Sequence, residues 1–77
     1  MGKEHPVIRN NIRTLRFLKE EMTQQELADY IGVSRQTVNA IEGGKYSPSL
    51  EVAFRMAQLF NKPLEEVFQY DGPPIKH

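Results

Sequence analysis

The sequence predicts an all-α fold of five short helices in one compact domain. A chain of 77 residues has room for a single domain. In its first part, Ile12, Leu15, Leu18 and Met22 recur at spacings of three and four, the period of an α-helix. Capping residues, glycines and prolines divide the rest into further helical segments. We expect helices at about residues 11–21, 24–31, 35–42, 50–60 and 63–68.

The first two helices have recognisable ends. Asn10 or Asn11 can cap the first helix. Thr23 and Glu26 form a T-x-x-E capping box, so the second helix should begin with the residue after Thr23. It should stop at Gly32, because glycine readily takes the left-handed backbone conformation that closes a helix.

The remaining helices follow the same logic. Ser34 can cap the third helix, which should end at two consecutive glycines, and Ser49 can cap the fourth, which Asn61 can close. Pro63 suits the first position of a fifth helix. Residues 7–8 can pair with residues 68–70 as a small two-stranded ribbon. We therefore divide the chain into an N-terminal arm (1–9), a domain (10–70) and a C-terminal tail (71–77).

The charge of the chain is balanced in total but not along its length. Ten Lys and Arg match ten Asp and Glu, which argues against a generic binder of nucleic acid. However, residues 3–19 carry five basic side chains and one acidic one, whereas residues 20–34 carry four acids and no base. A basic segment is thus followed by an acidic one.

Several classes of function find no support in the residues. Without cysteine, and with His5 and His77 at opposite ends, neither thiolate chemistry nor a metal site is predicted. Gly44 and Lys45 do not form a phosphate loop, because Tyr46 replaces the required Ser or Thr. We expect no enzyme activity, no cofactor and no small-molecule ligand. No apolar run exceeds three residues, so we expect no membrane span and a cytoplasmic location.

The second and third helices, with the turn Gly32–Ser34 between them, carry the most specific signal. Ala28 is small where the two helices would cross closely, and glycine permits the sharp turn. Val38 and Ile41 lie on the side of the third helix that faces the second. This pattern predicts a helix-turn-helix, whose second helix can enter the major groove of DNA.

The outward face of the third helix suits the reading of bases. At about 100° per residue, Gln36, Asn39 and Ala40 face outward, and Arg35 flanks them on the first turn. Arginine can bridge the two acceptors of guanine, Gln or Asn can bridge adenine, and an Ala methyl can contact thymine. Thr37 could contact a phosphate or a base. We predict that Arg35, Gln36, Asn39 and Ala40 read bases.

Residues 23–45, TQQELADYIGVSRQTVNAIEGGK, resemble the helix-turn-helix of the XRE family, which includes the phage Cro and repressor DNA-binding domains. The stretches YSPSL from Tyr46 and PLEEVFQ from Pro63 resemble its compact single-domain regulators. The resemblance covers about residues 12–70, although residues 16–24 are one residue longer than the commonest pattern. It implies a compact phage-repressor-like DNA-binding domain.

The resemblance also assigns roles by position. Arg35, Gln36 and Ala40 match base-facing positions, with Asn39 beside them. Gln24 matches a residue that contacts a phosphate and supports the first reading residue. Arg16 and Glu42 match a structural ion pair, while Arg16 as a phosphate ligand is the alternative. The residues that match the neighbourhood of the DNA backbone are Gln24, Ser34, Thr37, Lys45 and Tyr46.

Two further assignments stay open at this stage. Arg9, Arg13 and Arg16 form a stripe that either contacts the DNA backbone, chiefly through Arg13, or is a solvated helix face. A set of apolar residues near the C-terminus either completes the core or forms a dimer interface: Phe60, Leu64, Val67, Phe68 and Tyr70.

The function predicted is that of a sequence-specific regulator of transcription. Compact members of the family usually bind inverted repeats in double-stranded DNA as homodimers, with half-sites about 34–36 Å apart. We expect a repressor that binds such an operator. The alternative is a protein-interaction module, an antitoxin or an adaptor, that uses the same fold.

Overall fold

The computed structural model describes residues 7–76, and within them the chain forms five α-helices and one two-stranded sheet. The predicted five-helix fold with a terminal ribbon is therefore confirmed. The predictions on His5, on His77 and on residues 1–6 of the N-terminal arm lie outside the described residues. The elements in chain order are β1 (Ile8–Asn10), α1 (Ile12–Leu18), α2 (Gln24–Ile31), α3 (Arg35–Glu42), α4 (Leu50–Phe60), α5 (Leu64–Val67) and β2 (Phe68–Tyr70).

Helix α1 ends at Leu18, three residues before its predicted end. Glu20 and Glu21 both have a φ of 57°, in the left-handed region, which an α-helix of L-residues does not contain. After this turn Met22 is buried, and its N–H donates to the carbonyl of Arg16 at 2.9 Å. Met22 thus reaches the core through a turn, although its spacing from Leu18 predicted one continuous helix.

Asparagine side chains join the start of α1 to the rest of the molecule. Asn10 supplies the cap, because its Oδ1 accepts the N–H of Ile12 at 3.0 Å. Asn11 stands at the N-cap position but directs its Nδ2 to the carbonyl of Glu66 at 3.0 Å. Its backbone N–H donates to the carbonyl of Val67, also at 3.0 Å.

Local signals place α2 and α3 where the sequence predicted them. Both hydrogen bonds of the Thr23–Glu26 capping box are present. Gly32 ends α2 with a φ of 79°, and a side chain there would be strained. Ser34 then caps α3 by accepting the N–H of Thr37 at 3.1 Å. The two helices are therefore held at a fixed turn of only three residues.

The C-terminal elements close the fold against α1. Ser49 caps α4 by accepting the N–H of Val52 at 3.1 Å, and Asn61 closes it with a φ of 56°. Helix α5 gives way to strand at Phe68, one residue earlier than predicted, where φ is −129°. Strand β2 then pairs antiparallel with β1, with Ile8 opposite Tyr70 and Asn10 opposite Phe68.

The core lies between α1, α2, α3, α4 and α5. Its largest fully buried side chains are Ile12, Leu27, Ile41, Met56, Val38 and Val67. Each such side chain stabilises the fold by about 1.5–3 kcal/mol relative to an exposed one. No helix of residues 7–76 is long and apolar enough to cross a membrane.

Burial decides part of the open question about the C-terminal apolar residues. Phe60 and Val67 belong to the core, with 7% and 0% of their surface exposed. Their assignment to a dimer interface is wrong, because a buried side chain has no surface to offer a second chain. Leu64 and Phe68 are half-buried against the core. Tyr70 is exposed, and its hydroxyl donates to the carbonyl of Pro73 at 3.3 Å.

A candidate nucleic-acid interface on the third helix

Helix α3 has one apolar and one polar face. Val38 and Ile41 are buried in the core that α2 and α3 share. Arg35, Gln36 and Asn39 are exposed, and Ala40 is half-buried. The side chains predicted to read bases thus lie on the surface of a helix that its opposite face fixes in position.

The backbone around α3 brings the predicted phosphate-contacting side chains to its two ends. Ser34 and Thr37 lie at the N-terminus, where their hydroxyl groups are 2.9 Å apart. At the C-terminus Gly44 has a φ of 75°, and the N–H of Lys45 donates to the carbonyl of Ala40 at 3.0 Å. The side chains of Lys45 and its neighbour Tyr46 are exposed in this loop.

Arg16 and Glu42 form a largely buried ion pair between α1 and α3. The Nε and Nη2 atoms of Arg16 donate to the two carboxylate oxygens of Glu42 at 2.5 and 3.1 Å. Its Nη1 donates to the carbonyl of Met22 at 2.7 Å. Only 14% of the Arg16 side chain and 10% of the Glu42 side chain are exposed. These three hydrogen bonds and the low exposure of both side chains favour the structural ion pair over a phosphate contact for Arg16.

Gln24 connects this ion pair to the exposed face of α3. Its Nε2 donates to Oε1 of Glu42 at 3.1 Å and to Oδ1 of Asn39 at 3.2 Å. The family resemblance implied that Gln24 supports the first reading residue, whereas its side chain binds Asn39, in the second turn of α3. Both protons of the amide are taken by protein atoms, so this side chain has no donor left for a phosphate.

The three arginines of the predicted stripe, Arg9, Arg13 and Arg16, lie in three different environments. Arg9 binds the carboxylate of Asp71, and this hydrogen bond and charge raise the pKa of Arg9 above its ordinary value. Arg16 is held by Glu42. Arg13 is exposed and has no hydrogen-bond partner within residues 7–76. It lines a shallow depression with Gln24 and Asn39, beside the exposed face of α3.

One contact of this site could not be read from the sequence alone. The bond from Gln24 to Asn39 depends on how α2 crosses α3. The signal that could have found it is the spacing of Asn39 and Glu42, which share a helix face. Pairing of Glu42 with Arg16 then places that face beside the start of α2.

Within the described part of the chain, no group of acidic residues and histidines could hold a metal ion.

The chain matches a family model described as helix-turn-helix over residues 12–67, the segment that contains all five helices. The chain belongs to this helix-turn-helix family, of the XRE type. The resemblance seen in the sequence is thereby confirmed.

Relatives of the chain carry consistent descriptions. An uncharacterized HTH-type transcriptional regulator of Methanocaldococcus jannaschii is 45% identical over 64 residues, 83% of this chain and 96% of its own. The regulator YgzD of Bacillus subtilis, described in the same words, is 39% identical over 61 residues, 79% and 91% of the two chains. The cryptic phage CTXphi transcriptional repressor RstR of Vibrio cholerae is 36% identical over 58 residues, 75% and 51%.

Family and relatives together give the general function. The chain is a DNA-binding transcriptional regulator, and not an enzyme. The face of α3 described above is the candidate surface for that binding.

Proposed function

We propose that this regulator is a repressor that binds an inverted-repeat operator in double-stranded DNA as a homodimer, and that α3 reads the bases. The observation that carries the proposal is the polar face of α3, which is exposed while the opposite face is locked into the core. A helix presented in this way fits the major groove, which is about 12 Å wide. The regulator acts in the cytoplasm, without a cofactor or small-molecule ligand.

The reading side chains differ in their chemistry. Arg35 offers paired donors that match the O6 and N7 acceptors of guanine. The side-chain amide of Gln36 offers an NH2 group as donor and a carbonyl oxygen as acceptor, and Ala40 offers a methyl group for thymine. Each good bidentate pair contributes about 1–3 kcal/mol of discrimination against a wrong base. These side chains give the regulator its sequence preference.

Phosphate contacts fix the position of α3 in the groove. Arg13 lies beside its exposed face, Lys45 and Tyr46 follow its C-terminus, and the hydroxyls of Ser34 and Thr37 lie at its N-terminus. Contacts of this type position a protein on the duplex and carry no base information. Since the net charge of the chain is zero, non-specific affinity should be weak. Specific contacts from α3 therefore have to supply most of the preference for an operator.

A second copy of the chain fits the groove between α4 and α5. Leu50 and Phe54 stand one helical turn apart on α4, with 68% and 53% of their surface exposed, and half-buried Leu64 lines the same groove. Glu51 and Lys62 lie along it as well, so its charges have both signs. A surface with an apolar strip and opposite charges is complementary to a copy of itself across a two-fold axis.

Repression follows from where such a complex would sit. A dimer that covers an operator within a promoter blocks access of the polymerase to that DNA. The relative RstR is described as a transcriptional repressor. In transcription reactions on a template whose promoter overlaps the operator, we expect the transcript to fall as the regulator is added. An increase in transcript would identify an activator instead.

Selection of binding sites from a random duplex library tests the rest of the proposal. We expect an inverted repeat whose half-site centres lie about 34–36 Å apart, which is one turn of DNA. A single unrepeated site would contradict the homodimer. Enrichment of no sequence at all would contradict sequence-specific binding and favour a protein-interaction module.

A further inference from the structure

We infer that Gln24 is a positioning residue, which fixes the hydrogen-bonding direction of Asn39 so that Asn39 offers a donor to the base it meets. The Arg16–Glu42 ion pair in turn fixes Gln24. The inference rests on the proposed function, because it assigns the chemistry of one base contact on the same face of α3.

The direction of the Gln24 amide follows from what surrounds it. A carboxylate bound to a guanidinium group accepts hydrogen bonds and has no proton to donate. Both carboxylate oxygens of Glu42 accept hydrogen bonds from Arg16. The side chain of Gln24 must therefore turn its Nε2 toward Glu42, and the distance to Oε1 is 3.1 Å. The opposite orientation would place the amide oxygen against a carboxylate oxygen.

The direction of Asn39 follows from that of Gln24. The second proton on Nε2 of Gln24 points at Asn39, and only Oδ1 of Asn39 can accept it, at 3.2 Å. Asn39 therefore keeps its oxygen toward α2. Its Nδ2 has no hydrogen-bond partner within residues 7–76, and the residue is exposed. The end of Asn39 that faces a ligand is a donor.

A fixed donor gives a definite base preference. In the major groove it can bind purine N7, guanine O6 or thymine O4, all of which accept. Cytosine offers only its N4 amino group there, which is also a donor. An asparagine whose amide rotates freely could accept a hydrogen bond from that amino group with its oxygen. If the amide of Asn39 rotated in this way, it would lose its hydrogen bond to Gln24, so the rotation brings no net gain. We therefore expect Asn39 to disfavour cytosine at its base position.

Replacement of Gln24 by methionine tests the inference, because Q24M keeps the length of the side chain and removes both donors. The matched control is Gln25→Met, whose amide binds Asp29 at 2.9 Å on another face of α2. Affinities are measured for the selected operator and for all its single-base variants, at several salt concentrations. Asn39→Ala identifies the base position that Asn39 reads.

At that position we expect the wild-type chain to bind the cytosine variant about tenfold more weakly or worse, which is the discrimination of a specific contact. Gln24→Met should lose most of this tenfold discrimination against cytosine at the position that Asn39 reads. It should keep its discrimination at the other base positions, and the salt slope of its affinity should not change. Gln25→Met should behave as wild type. A second variant, Asn39→Asp, keeps an acceptor for Gln24 and replaces the donor by another acceptor. It should reverse the preference and favour cytosine.

Two results would overturn the assignment while the proposed function stands. One is a Gln24→Met variant whose affinity falls equally for all duplexes and whose salt slope falls by about one phosphate contact. That is the behaviour expected when a phosphate ligand is removed. The other is an Asn39→Asp variant that does not gain preference for cytosine. A wild-type chain that enriches no operator would overturn the proposed function itself, and this inference with it.

Discussion

Two surfaces of the molecule differ in how their side chains are held. On α3, Asn39 is tied through Gln24 to the Arg16–Glu42 pair, so a polar side chain has a set direction before any ligand arrives. In the groove between α4 and α5, Leu50 and Phe54 project into solvent. Hydrogen bonds have directions, whereas burial of apolar surface has none. The first surface suits discrimination among base edges, and the second suits association of chains.

The two surfaces share one core, and this is where substitutions should cost most. Leu27 is fully buried in that core, whereas Leu50 is largely exposed in the groove. We expect Leu27→Ala to lower the free energy of unfolding by about 2–5 kcal/mol. The same change at Leu50 should cost no more than about 0.5 kcal/mol. Urea unfolding followed by circular dichroism measures both, and equal losses would show that the burial of these side chains is wrongly assigned.

A smaller effect is expected from a charge placed in the groove between α4 and α5. Phe54→Asp should leave the monomer folded, because 53% of the Phe54 surface is already exposed. It should weaken association of two chains on the operator by about tenfold, or about 1.4 kcal/mol, because a carboxylate would be buried against an apolar strip. Sedimentation with and without operator DNA, together with the concentration dependence of binding, measures this change.

The matched control for the groove is Leu18→Asp. Leu18 is exposed to a similar degree at the end of α1, outside the groove. This variant should assemble on the operator as wild type does. If it disrupted assembly and Phe54→Asp did not, the dimer surface would lie near the end of α1.

The elements predicted best are those whose ends are set by neighbouring residues. The Thr23–Glu26 capping box, Gly32 and Ser34 fix α2 and α3 through contacts within four residues, so the pattern alone places both helices. The predicted end of α1 was wrong. Met22 has the spacing of a residue on the same helix face, but a left-handed turn after α1, and not a continued helix, brings its side chain into the core.

Contacts between distant elements were harder to predict. The sequence pattern predicts that Val67 lies in a short helix, but only the packing of α5 shows that its side chain is fully buried. The same limit applies to Leu50 and Phe54, whose helix has a wide apolar stripe that the core covers only in part. The partner of Gln24 likewise depends on the crossing of α2 and α3. Side-chain partners across helices follow from tertiary packing, which local patterns do not specify.

The central claim, that the exposed face of α3 reads base sequence, is tested most directly by Arg35→Ala on the selected operator. We expect specific affinity to fall by about 1–3 kcal/mol, and discrimination to disappear at one base position while the others keep theirs. Lys19→Ala is the control for charge, because Lys19 lines a depression with Glu26 and Tyr30, on the other side of α2 from Gln24. It should leave base discrimination unchanged. An Arg35→Ala variant with wild-type affinity and discrimination at every base position would contradict the account.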